Sequence, residues 1–419
     1  AWVDADAGIA LSHRRLAILD LSAEGHQPMA SATGRWQIVF NGEIYNFTDV
    51  RRELEAGGAI AWRGHSDTEI MLAAIERWGV EGALGRFNGM FAFAAWDRAE
   101  RELWLARDRA GEKPLYYGWH RGVLLFGSEL KALRAHPRWQ GTLDRGALAL
   151  FVRHGYIPAP YSAYEGIAKL PPGAYLRVAA DVRPGDALEP RAYWDPVRAV
   201  EAARAAPFAG SDADAIDALD TLLRDAVRMR MVADVPLGAF LSGGIDSSVI
   251  VGMMQAQSDR PVRTFSIGFH EEGYDEAQHA KAVARHLGTD HTELYVTPEE
   301  ARAVIPALPA MYDEPFGDSS QIPTYLVSAL ARRHVTVALS GDGGDELFCG
   351  YFRYFLGDRL WGRVAPIPRA VRRGVAHGLT ALTPAGWNAA ARAVRPLLPA
   401  RLRRPDFGAQ VHRVAHVIG

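Results

Sequence analysis

Cysteine is nearly absent. Cys349 stands alone in 419 residues, which excludes an internal disulfide and any cysteine-based zinc finger and fits a reducing, cytoplasmic compartment. Lysine is confined to Lys113, Lys131, Lys169 and Lys281, so chemistry that needs an ammonium beyond residue 281 has no lysine to supply it. No apolar run approaches the roughly 20 residues that span a bilayer, and Ala1 to Gly8 carries two acids and no basic segment. Neither a membrane span nor a secretory leader is expected. Net charge is also small, at −2, so no whole-chain field attracts nucleic acid. The imbalance is local: Arg359 to Gly419 holds eleven arginines and one acid. A solvated basic helical face is the expected form of that tail, without a nucleic-acid partner. The chain starts at Ala1 rather than Met and enters strand-like text at once, so the expectation is that its natural start is missing.

What is present is an ordinary globular balance, 48% hydrophobic and 23% charged, in a chain long enough for two or three domains. The first half reads as short strands, at Gly8 to Leu19, Trp36 to Tyr45, Met90 to Trp96, Glu102 to Arg107 and Gly122 to Phe126, which implies antiparallel sheet. Ser66-Asp67-Thr68-Glu69 predicts a capping box ahead of the apolar stripe Ile70, Leu72, Ala73 and Ile75. A second helix is expected to start near Asp144. Prolines and small residues over 196–211 predict an interdomain linker. Beyond it, helices and strands alternate from Asp212 to Leu339, the pattern of a parallel α/β sheet.

Two glycine turns carry the chemistry. Leu241-Ser242-Gly243-Gly244-Ile245-Asp246-Ser247-Ser248 lies between a predicted strand and a predicted helix. Its glycines allow close backbone approach, and its hydroxyls and helix-opening amides suit a phosphate. It lacks the Gly-Lys-[Ser/Thr] ending of a Walker A loop and fits no Gly-x-Gly-x-x-Gly. Asp246 places an acid inside an anion site, which makes electrostatic sense with a cation, naturally magnesium, between them. The second turn, Ser340-Gly341-Asp342-Gly343-Gly344-Asp345-Glu346, follows another predicted strand. Neighbouring parallel strands would bring both turns to one sheet edge, where Asp345 could share the metal with Asp246.

The first turn resembles the pyrophosphatase loop of synthetases that form AMP and pyrophosphate. With the second turn, Phe265-Ser266-Ile267-Gly268-Phe269 and Asp313-Glu314-Pro315-Phe316, it resembles the synthetase half of glutamine-dependent asparagine synthetases. In the first half, His13-Arg14-Arg15-Leu16-Ala17-Ile18-Leu19-Asp20, Phe40-Asn41-Gly42-Glu43-Ile44-Tyr45-Asn46, Ser66-Asp67-Thr68-Glu69 and Gly89-Met90-Phe91-Ala92-Phe93 resemble the class II glutaminase domain of that family. The resemblance implies an α+β N-terminal-nucleophile (αββα) glutaminase domain at 1–195. After the linker it implies an α/β parallel-sheet ATP-pyrophosphatase domain, adenine nucleotide α-hydrolase-like, at 212–419. It assigns Asn41 and the Gly42 amide to an oxyanion hole, and Arg15, Glu43 and Asp67 to glutamine's carboxylate and ammonium. It assigns ATP contacts to Leu241, Ser242, Gly243, Gly244, Asp246, Ser247, Ser248, Ile267, Gly268, Ser340 and Gly341. Magnesium falls to Asp246 and Asp345, and ordering of substrate or ammonia to Asp342. The implied partners are glutamine, aspartate and ATP, with a homodimer left open.

The sequence also departs from that family. It has neither the N-terminal cysteine nucleophile nor the following His-Arg-Gly-Pro-Asp run, and no lysine follows Lys281. The expectation is a chain lacking both ends and, as it stands, unable to hydrolyse glutamine. Cys349 reads as a small packed hydrophobe. Asp342 stands where the best-known bacterial members have glutamate, a carboxylate displaced by about 1.5 Å. Lys113 reads as structural, at the domain interface. Two alternatives stay open: the same adenylating core with another acyl acceptor, as in β-lactam-forming or peptide- or sugar-amidating synthetases, and a non-catalytic nucleotide-binding scaffold, which Asp246 and Asp345 disfavour.

Overall fold

A computed structural model describes residues 1–269, 276–393 and 407–419. These divide into two units, Ala1–Gly341 and Asp342–Gly419.

The first unit opens with a hairpin of β1 (Trp2–Asp4) and β2 (Ile9–Leu11). The strand expected through Leu19 stops at Leu11, because the following residues fold around a side chain: Arg15 donates to the Leu19 and Asp20 carbonyls, and Asp20 takes a φ of 57°. The chain continues through β3 (Met29–Ala30), β4 (Trp36–Ile44), α1 (Phe47–Ala56), α2 (Asp67–Leu84), β5 (Gly89–Asp97), β6 (Glu102–Arg107), β7 (Tyr116–His120) and β8 (Val123–Gly127). Next come α3 (Leu130–Arg134), α4 (Arg145–His154), β9 (Ile167–Lys169), β10 (Ala174–Val178) and β11 (Arg191–Ala192).

Among the described residues these strands form an antiparallel six-stranded sheet, β11-β10-β6-β5-β4-β3, and a three-stranded one, β8-β7-β9. Strand β5 reads as an unbroken apolar run because both its faces are buried. Phe91, Phe93 and Ala95 meet Val50, Leu54, Ile70 and Met71 of the helices α1 and α2, whereas Ala92, Ala94 and Trp96 face Tyr117 and Leu124 of the smaller sheet. The outer face of that sheet is closed by Leu130 and Leu133 of α3. The layers therefore run helix, sheet, sheet, helix, the expected αββα order.

The predicted capping box forms by half. Ser66 accepts from the Glu69 amide at 3.3 Å, but the Glu69 carboxylate takes the Arg63 and Gly64 amides instead of returning to Ser66. Asp144 caps α4 as expected, at the Gly146 and Ala147 amides. In the interval expected to be a linker, Asp195 and Pro196 start a helix, α5 (Pro196–Ala205), none of whose residues is buried.

The remainder of the first unit alternates as predicted: α6 (Asp212–Arg230), β12 (Leu237–Phe240), α7 (Ile245–Ala256), β13 (Arg263–Phe269), α8 (Ala277–Leu287), β14 (Asp290–Val296), α9 (Pro298–Val304), α10 (Leu308–Met311), α11 (Gln321–Ala331) and β15 (Val337–Leu339). The sheet is parallel, in the order β14-β13-β12-β15. Val227, Val251, Met254 and Ala280 pack at one face, while Phe265 meets Leu330 and Val335 at the other. Burial from both faces suits the apolar text of the inner strand β12, whereas the edge strand β14 keeps Asp290, His291, Thr292 and Glu293.

The second unit is helical: α12 (Gly344–Phe348), α13 (Phe352–Val364), α14 (Arg369–Thr380), α15 (Pro384–Ala393) and α16 (Phe407–Ile418). Gly408 lets α16 cross the start of α15, since a Cβ there would lie 2.0 Å from the Pro384 carbonyl oxygen. Cys349 is not packed, contrary to expectation. It is exposed, with a φ of 57°, because it closes the short helix α12 in a left-handed conformation that turns it out of any apolar layer. Arg369 and Arg373 of the basic tail are exposed on α14, as a solvated face requires, and Arg395, Arg401, Arg403 and Arg404 lie outside the described residues.

Candidate functional site

In the first half, long-range pairing assembles what the sequence scatters. Strand β4 supplies Asn41, Gly42 and Glu43, the start of α2 supplies Asp67, and the segment after β2 supplies His13 and Arg15. All six line one cavity of about 130 Å³, with Met90 and Lys113. Gly42 has a φ of 153°, and a Cβ there would lie 2.1 Å from the Met90 carbonyl oxygen, so only glycine fits where β4 presses on β5. Asn41 Nδ2 donates to Ser128 Oγ at 3.0 Å, which fixes the amide while its second proton stays available for a ligand.

The electrostatics are those of a site with two acids facing one space. Burial pushes the Glu43 carboxyl up to about 7, helped by the charge of Asp67 and opposed by Lys113 and Arg230. Burial also raises Asp67 to about 6, against hydrogen bonds from the Ile44 and Thr68 amides and the charge of Arg15. Burial, then the Arg15 charge, lowers the His13 imidazole. One guanidinium and two destabilised carboxylates form the complement of a zwitterionic amino acid, because a bound ammonium would relieve both acids. Lys113, expected as a structural residue, also lines this cavity, and its charge opposes the rise of Glu43. Ser128 and Arg230 carried no local sequence signal, since their relevance arises from partners far away in sequence, Asn41 for Ser128 and Glu43 for Arg230.

The nucleotide-type loop follows β12. Leu241 is buried and its amide donates to the Phe265 carbonyl, anchoring the loop to β13. Ser242 Oγ and Ser247 Oγ lie 2.9 Å apart, and Ser248 Oγ donates to the Gly244 carbonyl at 2.6 Å. The serine hydroxyls thus brace the loop's own shape, leaving the opening amides of α7 as the donors that face outward from a helix start. Gly243 has a φ of 80°, and a Cβ there would lie 2.5 Å from the Ala280 amide nitrogen.

The two glycine turns touch. A Cβ on Gly341 would stand 2.7 Å from the Ser247 amide nitrogen. Strands β12 and β15 are parallel neighbours, so Ser242–Ser248 and Ser340–Gly341 share one carboxyl edge with Ile267 and Gly268 at the end of β13. That edge is where open α/β sheets bind ligands. Asp246 lies in the first turn of α7. Asp342 and Asp345 belong to the second unit, where the Asp345 carboxylate packs against Gly350. Among the described residues no three His, Cys, Asp or Glu side chains converge as a metal cluster. Asp246 fits the pattern of magnesium in nucleotide sites, which takes one or two carboxylates and completes its shell with phosphate oxygens.

Family models match the chain over nearly its whole length: "Glutamine amidotransferase domain" at residues 1–194 and "Asparagine synthase" at 218–418. A Methanocaldococcus jannaschii protein assigned as asparagine synthetase (glutamine-hydrolysing) 2 is 39% identical over 84% of this chain and 68% of its own length. Asparagine synthetase (glutamine-hydrolysing) 1 of Bacillus subtilis is 36% identical over 83% of this chain and 53% of its own length. The amidase chry2 of Gibberella zeae is 30% identical over 84% of this chain and 52% of its own length. The chain thus spans between about half and two thirds of these relatives. Among the described residues no helix is long and apolar enough to cross a membrane.

Proposed function

The chain belongs to the glutamine-hydrolysing asparagine synthetase family, and from that premise we propose that the complete protein makes asparagine from aspartate, with ATP as activator and glutamine as nitrogen donor. In this reading the first cavity takes glutamine. Arg15 pairs with its carboxylate, Glu43 and Asp67 with its ammonium, and Asn41 with the Gly42 amide stabilises the oxyanion as the side-chain amide is cleaved. The cleaving nucleophile is not assigned to a residue of this chain.

At the parallel-sheet edge, the 242–248 loop and Ser340–Gly341 would hold the triphosphate, with Leu241, Ile267 and Gly268 beside the nucleotide. The side-chain carboxylate of aspartate attacks the α-phosphorus, the bond to the β-phosphate oxygen breaks, and pyrophosphate leaves. Ammonia then attacks the acyl carbon of β-aspartyl-AMP and AMP departs. Magnesium, when bound, neutralises phosphate charge; Asp246 and Asp345 are the residues that would hold it, and Asp342 would order substrate or ammonia. Because water competes for an acyl-adenylate, holding it in a protein site favours amide formation.

The observation that carries this reading is the contact between the two glycine turns, at 2.7 Å from a Cβ on Gly341 to the Ser247 amide. The test is pyrophosphate release by the complete protein with ATP, magnesium and aspartate. Asp246→Asn or Asp345→Asn is expected to lower it at least a hundredfold, and undiminished release would sink the metal assignment. A second reading, another acyl acceptor, is favoured by the amidase name of a matched relative. It predicts AMP formation that does not depend on aspartate. Magnesium, a homodimeric state and the cytoplasm belong to this proposal as well.

A further inference from the structure

We propose that Asp234 is a positioning residue for glutamine capture, reaching from the parallel-sheet half of the first unit to the loops that carry Arg15 and Asp67; this rests on the reading of the first cavity as the glutamine site. Asp234 lies three residues before β12, the strand that runs into the nucleotide-type loop. Its Oδ2 accepts from the Asp20 amide at 2.7 Å and lies 2.7 Å from His65 Nε2, while its own amide donates to the Ile18 carbonyl at 3.0 Å. These partners are 214 and 169 residues away in sequence for the carboxylate.

What Asp234 holds is a turn that shapes the guanidinium. Asp20 is fully buried, with a φ of 57° that few non-glycine residues adopt. Its carboxylate accepts from the Ser22 amide and hydroxyl and from the His65 amide, at 3.1, 2.5 and 2.9 Å. In this conformation the Leu19 and Asp20 carbonyls both accept from Arg15 Nη2, at 2.6 and 2.9 Å. Two glycines make room for the arrangement. A Cβ at Gly25 would lie 2.5 Å from the Arg15 guanidinium, and one at Gly64 would lie 2.2 Å from Asp20 Oδ2.

The same oxygen therefore fixes both ends of an amino-acid site. Through Asp20 it sets Arg15, the partner for a carboxylate. Through His65, next to the Ser66 cap of α2, it sets Asp67, a partner for an ammonium. Without the Asp234 carboxylate the buried Asp20 amide has lost its acceptor, and the strained turn relaxes by letting the Arg15 carbonyl seat move. Asp234 does not itself line the cavity, although Ile18, whose carbonyl accepts from its amide, does, so its influence on glutamine is indirect.

The test uses the full chain and isothermal titration with L-glutamine and, separately, with ATP and magnesium. Asp234→Ala is expected to weaken glutamine binding about tenfold, about 1.4 kcal/mol, with ATP affinity within about twofold of the parent. Asp234→Asn, which keeps an acceptor for the Asp20 amide, should recover most of that loss. In an Arg15→Lys background, Asp234→Ala should cost clearly less than in the parent, because the Arg15 seat is already vacated and only the path through His65 to Asp67 remains. Unchanged glutamine affinity in Asp234→Ala, or a full additional loss in the Arg15→Lys background, overturns the proposal. If the parent chain itself does not bind glutamine, the reading of the cavity fails, a result distinct from a parent that binds and a variant that binds equally. Should the alanine variant not fold, Asp234→Ser is held to the same criteria.

Discussion

Glu43→Gln should make the protein more stable and less able to bind glutamine. The Glu43 carboxyl is buried beside Asp67, and its pKa rises from 4.5 to about 7, first through burial and then through the neighbouring charge. Between these two values the folded state holds a proton that the unfolded chain has released. Stability must therefore fall as pH rises across that window, and the loss is complete above about 7. At 1.36 kcal/mol per unit, the cost accumulated from about pH 5 to pH 8 is about 2.5 kcal/mol. Glutamine at this position is never charged and escapes that loss. Urea unfolding of parent and variant at both pH values measures the difference of differences, in which any packing defect of the substitution cancels. The variant's advantage should grow by about 2–3 kcal/mol toward pH 8. Glutamine binding should respond in the opposite sense: it needs the ionised pair, so parent affinity should fall as pH drops through about 7 and 6, the values for Glu43 and Asp67, and the variant should bind at least tenfold more weakly at pH 8. A pH-independent gap between parent and variant stability would refute the buried-acid argument, and undiminished glutamine affinity in the variant would refute the role of Glu43.

Gly341→Ala drives a methyl toward the Ser247 amide, 2.7 Å away, so ATP affinity should fall at least tenfold while glutamine affinity holds. A fluorescent ATP analogue titrated against both proteins decides it, and equal binding would separate the two turns functionally. Lys169→Met strips the ion-pair partner from Glu314, a largely buried acid that also accepts from the Ala163 amide at 2.7 Å. Stranding that charge should cost about 3 kcal/mol of stability in urea unfolding, and a loss under about 1 kcal/mol would show that Glu314 is solvated.

The elements themselves were legible locally. The alternation of Trp36 to Tyr45 and the apolar run of Met90 to Trp96 specify strands, and the alternation after Asp212 specifies a parallel sheet, because burial on one or two faces writes its period directly into the chain. Both glycine turns were legible too, since backbone that must pass within contact distance of other atoms admits no side chain. The set proposed for glutamine, Arg15, Asn41, Gly42, Glu43 and Asp67, came from motif resemblance, and the fold brings all five to one cavity.

Other features had no local signature. The Gly8 to Leu19 text has a strand's composition, yet Arg15 binds its own downstream carbonyls and bends the segment into a turn. Glu69 completes the letters of a capping box, but two nearby amides outcompete the one it was expected to take. Lys113 gives no sign in its neighbours that it will face Glu43, nor Ser128 that it will hold Asn41. Periodicity and steric necessity act between residues a few positions apart, so the sequence alone carries them. Whether a carboxylate is charged, and which amide it accepts from, depends on burial and on partners brought in from elsewhere in the chain, and only the packed tertiary structure decides those.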